Sequence, residues 1–219
     1  MERKFSFAPG EYYHVYNRGV EKRKIFLSDK DYKRFIRLIY LCNSKKPVDF
    51  GEVKDIPLVE IERGETLVHV GAYCLMSNHF HLLLREKADQ GVSKFLGKIL
   101  TAYSMYFNKR YERKGRLFEN KFQAQHADND EYLKYLFAYI HLNPVKLIEP
   151  DWKSVGVINK GNVKKWITSY TYSSYLDYLG YNREEKLLID RTEFPDYFSS
   201  NQGFEKYLEE WLLSGDLIL

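Results

Sequence analysis

Two histidines on one face of a predicted strand form the sharpest chemical signal in the sequence. His79 and His81 flank Phe80 in the run from His79 to Arg85. Side chains alternate along a strand, so both imidazoles share a face while the apolar residues at 80, 82 and 84 turn to the core. Two imidazoles at this spacing can bind one metal ion. An isolated His-x-His pair is more often one exposed and one hydrogen-bonded histidine, and the apolar neighbours shift that balance towards a metal site.

A tyrosine and an asparagine one helical turn apart form the second group. Tyr139 and Asn143 are four residues apart, so they share one helical face. There a phenol that attacks phosphorus would lie beside an amide oxygen able to bind a metal. The structural alternative is strong when the pair is taken alone, because Tyr132, Tyr135 and Tyr139 form an ordinary helical stripe and Pro144 is an ordinary helix stop. Among the three tyrosines, Tyr139 is preferred because it has an amide candidate four residues later.

The charge distribution points to a polyanion. The formal net charge is +4, but Lys and Arg outnumber Asp and Glu nine to three between Lys87 and Lys121, whereas the segment from Asp177 onwards is acidic. A basic body favours a nucleic-acid partner, and solvated helix faces are the alternative. We predict a phosphate track with Phe118 or a nearby tyrosine available for base stacking; its basic residues are Lys109, Arg110, Arg113, Lys114 and Arg116. Arg18 is a further predicted DNA contact, and it belongs to the alternative track with Lys22, Arg23 and Lys24.

Length and composition narrow the class of protein. The chain has 219 residues, enough for one large domain or a domain with an appendage. No apolar run is long enough to cross a bilayer, and the N-terminus lacks the apolar segment of a signal peptide. The two cysteines, Cys42 and Cys74, form no CxxC pair. We therefore expect a cytoplasmic protein without a membrane partner.

The elements that position these residues follow the order strand, helix, strand, strand, helix, strand, helix. This order predicts an α+β fold with an antiparallel sheet and helices on one face. We assign residues 1–150 to a catalytic domain and residues 151–219 to a C-terminal extension, mostly helical and acidic. The connection at 43–64 is predicted to be irregular or an inserted hairpin; strands are predicted at 12–19, 67–76, 79–85 and 117–126, and helices from Ser28, at 92–110 and at 128–142.

Taken together, the motifs resemble the single-tyrosine HUH transposases, in the branch of REP-associated tyrosine transposases. The resemblance covers about residues 10 to 148, and Ser173-Ser174-Tyr175 with Tyr178-Leu179-Gly180 resembles the tail of that branch. The matching residues are Tyr13-His14-Val15, Asn17-Arg18-Gly19, Met76 to Leu83, Asn108, Gly115-Arg116-Leu117-Phe118, Asp130 to Leu133 and Tyr139 to Val145.

The resemblance implies a ferredoxin-like fold and a nuclease site. In this sequence His79 and His81 would bind a divalent metal, Mg²⁺ or Mn²⁺, and Asn143 would be the third ligand, where some relatives carry glutamine. Tyr139 would attack single-stranded or hairpin DNA and form a 5′-phosphotyrosine. Some relatives act as homodimers and others as monomers, and the sequence does not choose between them.

Two other functions compete with this transposase-like DNA nickase and strand transferase. One is a domesticated, sequence-specific DNA-binding protein that keeps the fold and does not cut. The other is a structural interaction protein whose many aromatic residues only fill a core. The intact set of His79, His81 and Tyr139 favours the enzyme, because a binding protein needs none of the three.

Overall fold

A four-stranded antiparallel sheet carries the histidines. The computed structural model describes residues 5–47 and 49–214. The strand order is β2-β3-β1-β4, and every pairing is antiparallel. This is the order of a ferredoxin-like sheet, in which the first and third strands pair at the centre. The strands are β1 (Tyr12–Arg18), β2 (Val68–Met76), β3 (His79–Glu86) and β4 (Gln123–His126).

Helices follow the strands in the predicted order, so the α+β class is confirmed. Residues 43–64 are irregular in their described part, apart from a 3₁₀ turn at Leu58–Glu60. The strand predicted at 117–126 begins later, at Gln123, after one isolated bridge from Phe118 to Gly19. The helices are α1 (Asp29–Cys42), α2 (Gly91–Arg110), α3 (Asp130–His141), α4 (Trp152–Val155), α5 (Lys160–Ser169), α6 (Tyr175–Tyr178) and α7 (Asn201–Ser214).

The helix α3 has clear start and stop signals. The Asn129 side chain accepts a hydrogen bond from the Tyr132 N–H at 2.7 Å, which satisfies one free donor of the first turn. The helix ends at His141, and Pro144 lies in the 3₁₀ turn Asn143–Leu147 that follows. These signals set the helical register that places Tyr139 and Asn143 on the same side.

Helices cover both faces of the sheet. Helices α1 and α2 pack on the face that carries Val15 and Leu82, whereas α3 packs on the opposite face, against Cys74 and Leu83. The prediction of helices on one face is therefore wrong for α3. The reason is that the centres of β2 and β3 carry apolar side chains in both directions, so both faces have to be buried.

Residues beyond 150 pack onto the second face. Trp152, Val163 and Phe204 share one hydrophobic cluster with Leu136 of α3. The edge of β2 is extended by residues 172–174, since Leu75 N–H donates to the Tyr172 carbonyl at 3.0 Å. The division into domains 1–150 and 151–219 stays a prediction, and residues 1–4 and 215–219 of those ranges lie outside the described residues. In the described ranges no helix is long and apolar enough to span a bilayer.

Candidate active site

Histidines from two neighbouring strands meet on the α3 face of the sheet. His79 and His81 both point to this face, and their ring centroids are 4.9 Å apart with perpendicular planes. Strand β1 pairs with β3 so that Tyr16 lies opposite His81. His14, two residues before Tyr16, stacks on His81 at 5.1 Å between centroids. The alternation of the strands thus groups three imidazoles and a phenol.

In both candidate metal ligands, His79 and His81, the Nδ1 atom takes part in a hydrogen bond. His79 Nδ1 is 2.6 Å from Asn78 Oδ1, and His81 Nδ1 is 2.9 Å from His14 Nε2. An amide oxygen only accepts, so His79 Nδ1 carries the proton and its Nε2 keeps a lone pair. When His81 Nδ1 donates to His14 in the same way, its Nε2 is also left with a lone pair. Neither Nε2 has a hydrogen-bond partner among the described residues.

Burial keeps these rings neutral. It lowers the pKa of His14 to about 3, because the charged ring would lose its hydration. Burial, with Lys146 and Arg18 adding repulsion, lowers the pKa of His79 to about 4. For His81, burial and the neighbouring His14 and His79 hold the pKa well below its usual value. Neutral imidazoles are the form that binds a metal.

Tyr139 faces the histidines from α3. Its ring makes edge-to-face contacts with His81 and His14, each with centroids 5.5 Å apart. Tyr139 is half-buried, and burial, followed by the nearby Tyr16, raises the pKa of its phenol. The phenol is therefore protonated at neutral pH, and its proton has to leave before or during an attack.

The cavities distinguish Tyr139 from the other tyrosines of its stripe. Tyr132, Tyr135 and Tyr139 all line a cavity of about 230 Å³ together with His14 and His81. Of the three, Tyr139 alone also lines a second cavity of about 440 Å³, which contains His79. Of the three tyrosines, Tyr139 is thus the one that lies next to both His79 and His81.

Asn143 lines the same 440 Å³ cavity as His79, His81 and Tyr139. It is buried, with 2% of its surface exposed. Its Nδ2 donates to the Tyr139 carbonyl at 2.7 Å, which fixes the orientation of the amide. The Oδ1 atom has no hydrogen-bond partner within the described part of the chain, so a lone-pair donor remains available.

The structure brings further residues to the site that sequence reasoning had not placed there. The sequence assigns no role to His14, and Lys146 and Lys153 belong to no predicted motif. Their positions depend on the strand order and on the path of the chain after α3. The alternation of His14 and Tyr16 in β1 was the available signal, but it could not show which strand lies beside β1.

The predicted basic residues line several cavities and grooves of the structure. Arg18 lines the 440 Å³ cavity and is paired with Glu119 through two hydrogen bonds of 3.0 and 3.1 Å. Lys109 and Arg110 line a groove of about 1340 Å³ between α1 and α2, on the layer opposite α3. Arg116 lines an adjacent groove between α2 and residues 117–122.

The remaining basic residues follow α2. Arg113 donates to Asn108 Oδ1 at 2.8 Å, and Lys114 is exposed. Their role as phosphate contacts stays a prediction.

Phe118 is not available for base stacking. It is 5% exposed and belongs to the first core, with an edge-to-face contact to Phe80 at 6.1 Å between centroids. The expectation from the sequence is wrong here because the bridge between Phe118 and Gly19 turns the phenyl ring inwards.

Comparison with known proteins agrees with the fold and with the motifs. A family model described as "Transposase IS200 like" matches residues 10–143, more than half of the chain. No curated protein matches. A solved structure of a REP-associated tyrosine transposase bound to a REP hairpin superposes with a TM-score of 0.50 at 14% identity, covering 84% of this chain and 90% of that chain. The family match spans both candidate motifs, from the histidine pair to Asn143, and the chain therefore belongs to the IS200-like transposase family.

Proposed function

We propose that this protein is a metal-dependent nickase and strand transferase for single-stranded DNA, with Tyr139 as its nucleophile. One observation carries the proposal: His79, His81, Tyr139 and Asn143 line a single cavity, although the histidines lie in β3 and the other two residues lie in α3 and the 3₁₀ turn that follows it. A neutral imidazole pair, an amide and a phenol are the groups that the reaction needs.

The reaction balances with the chain's own phenol. The Tyr139 oxygen attacks the phosphorus, a Tyr–O–P bond forms, and the bond from phosphorus to the 3′-oxygen breaks. The phenol loses one proton and the departing 3′-oxygen gains one, so a phosphodiester is exchanged for another phosphodiester. Because the bond energy is retained in the phosphotyrosine, attack by a 3′-hydroxyl rejoins strands without ATP.

The residues present fit a divalent cation such as Mg²⁺ or Mn²⁺. The Nε2 atoms of His79 and His81 and the Asn143 Oδ1 are the donors that have no protein partner among the described residues. No group of three or more His, Cys, Asp or Glu side chains placed to hold one metal ion occurs in that part of the chain. A cation here would thus depend on two imidazoles and an amide, with open positions for substrate. When bound, it would neutralise charge on the non-bridging phosphate oxygens.

We infer that the substrate is single-stranded or hairpin DNA. The structurally similar REP-associated tyrosine transposase is bound to a REP hairpin, which supports this class of nucleic acid. The excess of Lys and Arg between residues 87 and 121 provides the charge that a phosphate backbone requires.

The test uses hairpin-tipped single-stranded DNA, Mn²⁺ and a denaturing gel that detects covalent protein–DNA complexes. The wild type should form an adduct, Tyr135→Phe should retain it, and Tyr139→Phe should lose it, since that change removes the attacking atom and little else. Mass spectrometry should locate the phosphate on Tyr139. An adduct on another tyrosine would contradict the assignment.

The same assay separates the competing functions. A wild-type protein that binds the hairpin DNA and forms no adduct would be the domesticated DNA-binding protein. A protein that binds no single-stranded DNA would be an interaction protein with an aromatic core.

A further inference from the structure

Lys153 lies over the ring of the proposed nucleophile. Its Nζ is 4.3 Å from the Tyr139 ring centroid and 5.8 Å from the Trp152 ring. Lys153 belongs to the short helix α4, beyond residues 10–143 that match the family model. Trp152 is fully buried in the second core and anchors α4 against α3. A side chain of the C-terminal extension therefore reaches the centre of the site.

The described residues provide no counter-ion for the ammonium group of Lys153. It is half-buried, and no carboxylate in residues 5–47 and 49–214 forms an ion pair with it. Burial, followed by repulsion from Lys146, lowers the pKa of Lys153 to about 8. The group is still mainly protonated at neutral pH, so a positive charge is held against the Tyr139 ring without an ion pair to any described residue.

A cation over an aromatic face restricts the ring. The attraction between an ammonium group and the ring quadrupole strengthens when water is excluded. From the sheet side, the Tyr139 ring is in edge-to-face contact with His81 and His14. Lys153 adds a contact from the C-terminal extension, and the ring is confined between the two layers.

We propose that Lys153 is a positioning residue that holds the Tyr139 phenol in the orientation for attack, so that the C-terminal extension completes the active site. This inference rests on the proposed function, because it assigns a role towards the same nucleophile. DNA affinity is distributed over many phosphate contacts. Loss of Lys153 should therefore lower the rate of attack much more than the affinity.

The experiment compares three variants of the full chain. Lys153→Met keeps the length of the side chain and removes the charge, Lys153→Arg keeps a cation that stacks on aromatic faces, and Lys160→Met removes an exposed lysine of the same extension. Single-turnover adduct formation at saturating hairpin DNA gives the rate, and fluorescence anisotropy gives the Kd.

We expect Lys153→Met to lower the rate roughly 3- to 30-fold, the range that a partly dehydrated cation–π contact is worth. Its Kd should change less than about 3-fold, since one cation among many phosphate contacts is lost. Lys153→Arg should restore most of the rate, and Lys160→Met should match the wild type. An unchanged rate in Lys153→Met, or a loss that Lys153→Arg does not repair, would overturn the inference.

A second measurement is independent of cleavage. With 3-fluorotyrosine at position 139, the fluorine resonance should shift in Lys153→Met and not in Lys160→Met, and an unmoved resonance would overturn the ring contact. If the wild type forms no adduct, the proposed function fails, and the fluorine shift still decides whether Lys153 holds the ring. If the wild type forms the adduct while Lys153→Met matches it, the inference alone fails.

Discussion

Replacing His14 with alanine should weaken Mn²⁺ binding by about 10- to 100-fold, as is typical when the hydrogen-bond partner of a metal-binding histidine is removed. The perturbation acts through one hydrogen bond, between His81 Nδ1 and His14 Nε2 at 2.9 Å, in which His81 has to donate when its Nε2 binds the metal. His14 itself need not touch the metal for this effect.

The magnitude follows from burial. His14 and His81 are 4% and 5% exposed, so water cannot replace the lost acceptor easily. Leaving the His81 Nδ1–H buried without a partner costs about 1–3 kcal/mol. A tenfold change in affinity corresponds to about 1.4 kcal/mol, so the penalty matches the expected loss. This penalty destabilises the tautomer of His81 that has its proton on Nδ1 and a free Nε2. Without His14, the Nδ1–H of that tautomer has lost its hydrogen-bond acceptor.

The assay is isothermal titration calorimetry with Mn²⁺ on the folded protein without DNA. His14→Gln should retain more affinity than His14→Ala, since its amide oxygen can accept from His81. His126→Ala is the matched control. His126 lies at the end of β4, and its Nε2 is in a hydrogen bond of 2.7 Å with Glu11 Oε2. Equal affinity in His14→Ala and the wild type would refute the reasoning, and so would an equal loss in His126→Ala.

Two further predictions concern DNA binding and stability. Neutralising Lys109 and Arg116 together should weaken binding across sequences and flatten the slope of log affinity against log salt by roughly one unit per lost contact; an unchanged slope, measured by anisotropy, would place the contacts elsewhere. Burial lowers the pKa of His141 to about 4, below the value of about 6.5 expected in the unfolded chain. On acidification, His141 therefore takes up its proton in the unfolded state before it does so in the folded state. The contribution of neutral His141 to the free energy of unfolding is complete above pH 6.5, and it should fall by about 2 kcal/mol between pH 7 and pH 5. Urea unfolding of the wild type and His141→Gln at both pH values checks this, and an equal loss in both proteins would contradict it.

Local features of the site could be predicted from the sequence because they depend on backbone geometry. A strand places His79 and His81 on one face, and a helix places Tyr139 and Asn143 on one side. The cap at Asn129 and the stop at Pro144 define the helix that carries Tyr139 and the turn after it that carries Asn143. These relations involve neighbours within a few residues, and the periods of strand and helix determine them.

The tertiary structure decided which distant segments meet. His14 and His81 are 67 positions apart, and their hydrogen bond follows from the pairing of β1 with β3. The packing of α3 opposite α1 and α2, and the contact of Lys153 with Tyr139, follow from the burial of apolar surface shared among α3, β2 and the C-terminal extension. Such burial is non-directional, so an apolar residue in the sequence shows that it needs a partner without showing which segment supplies it.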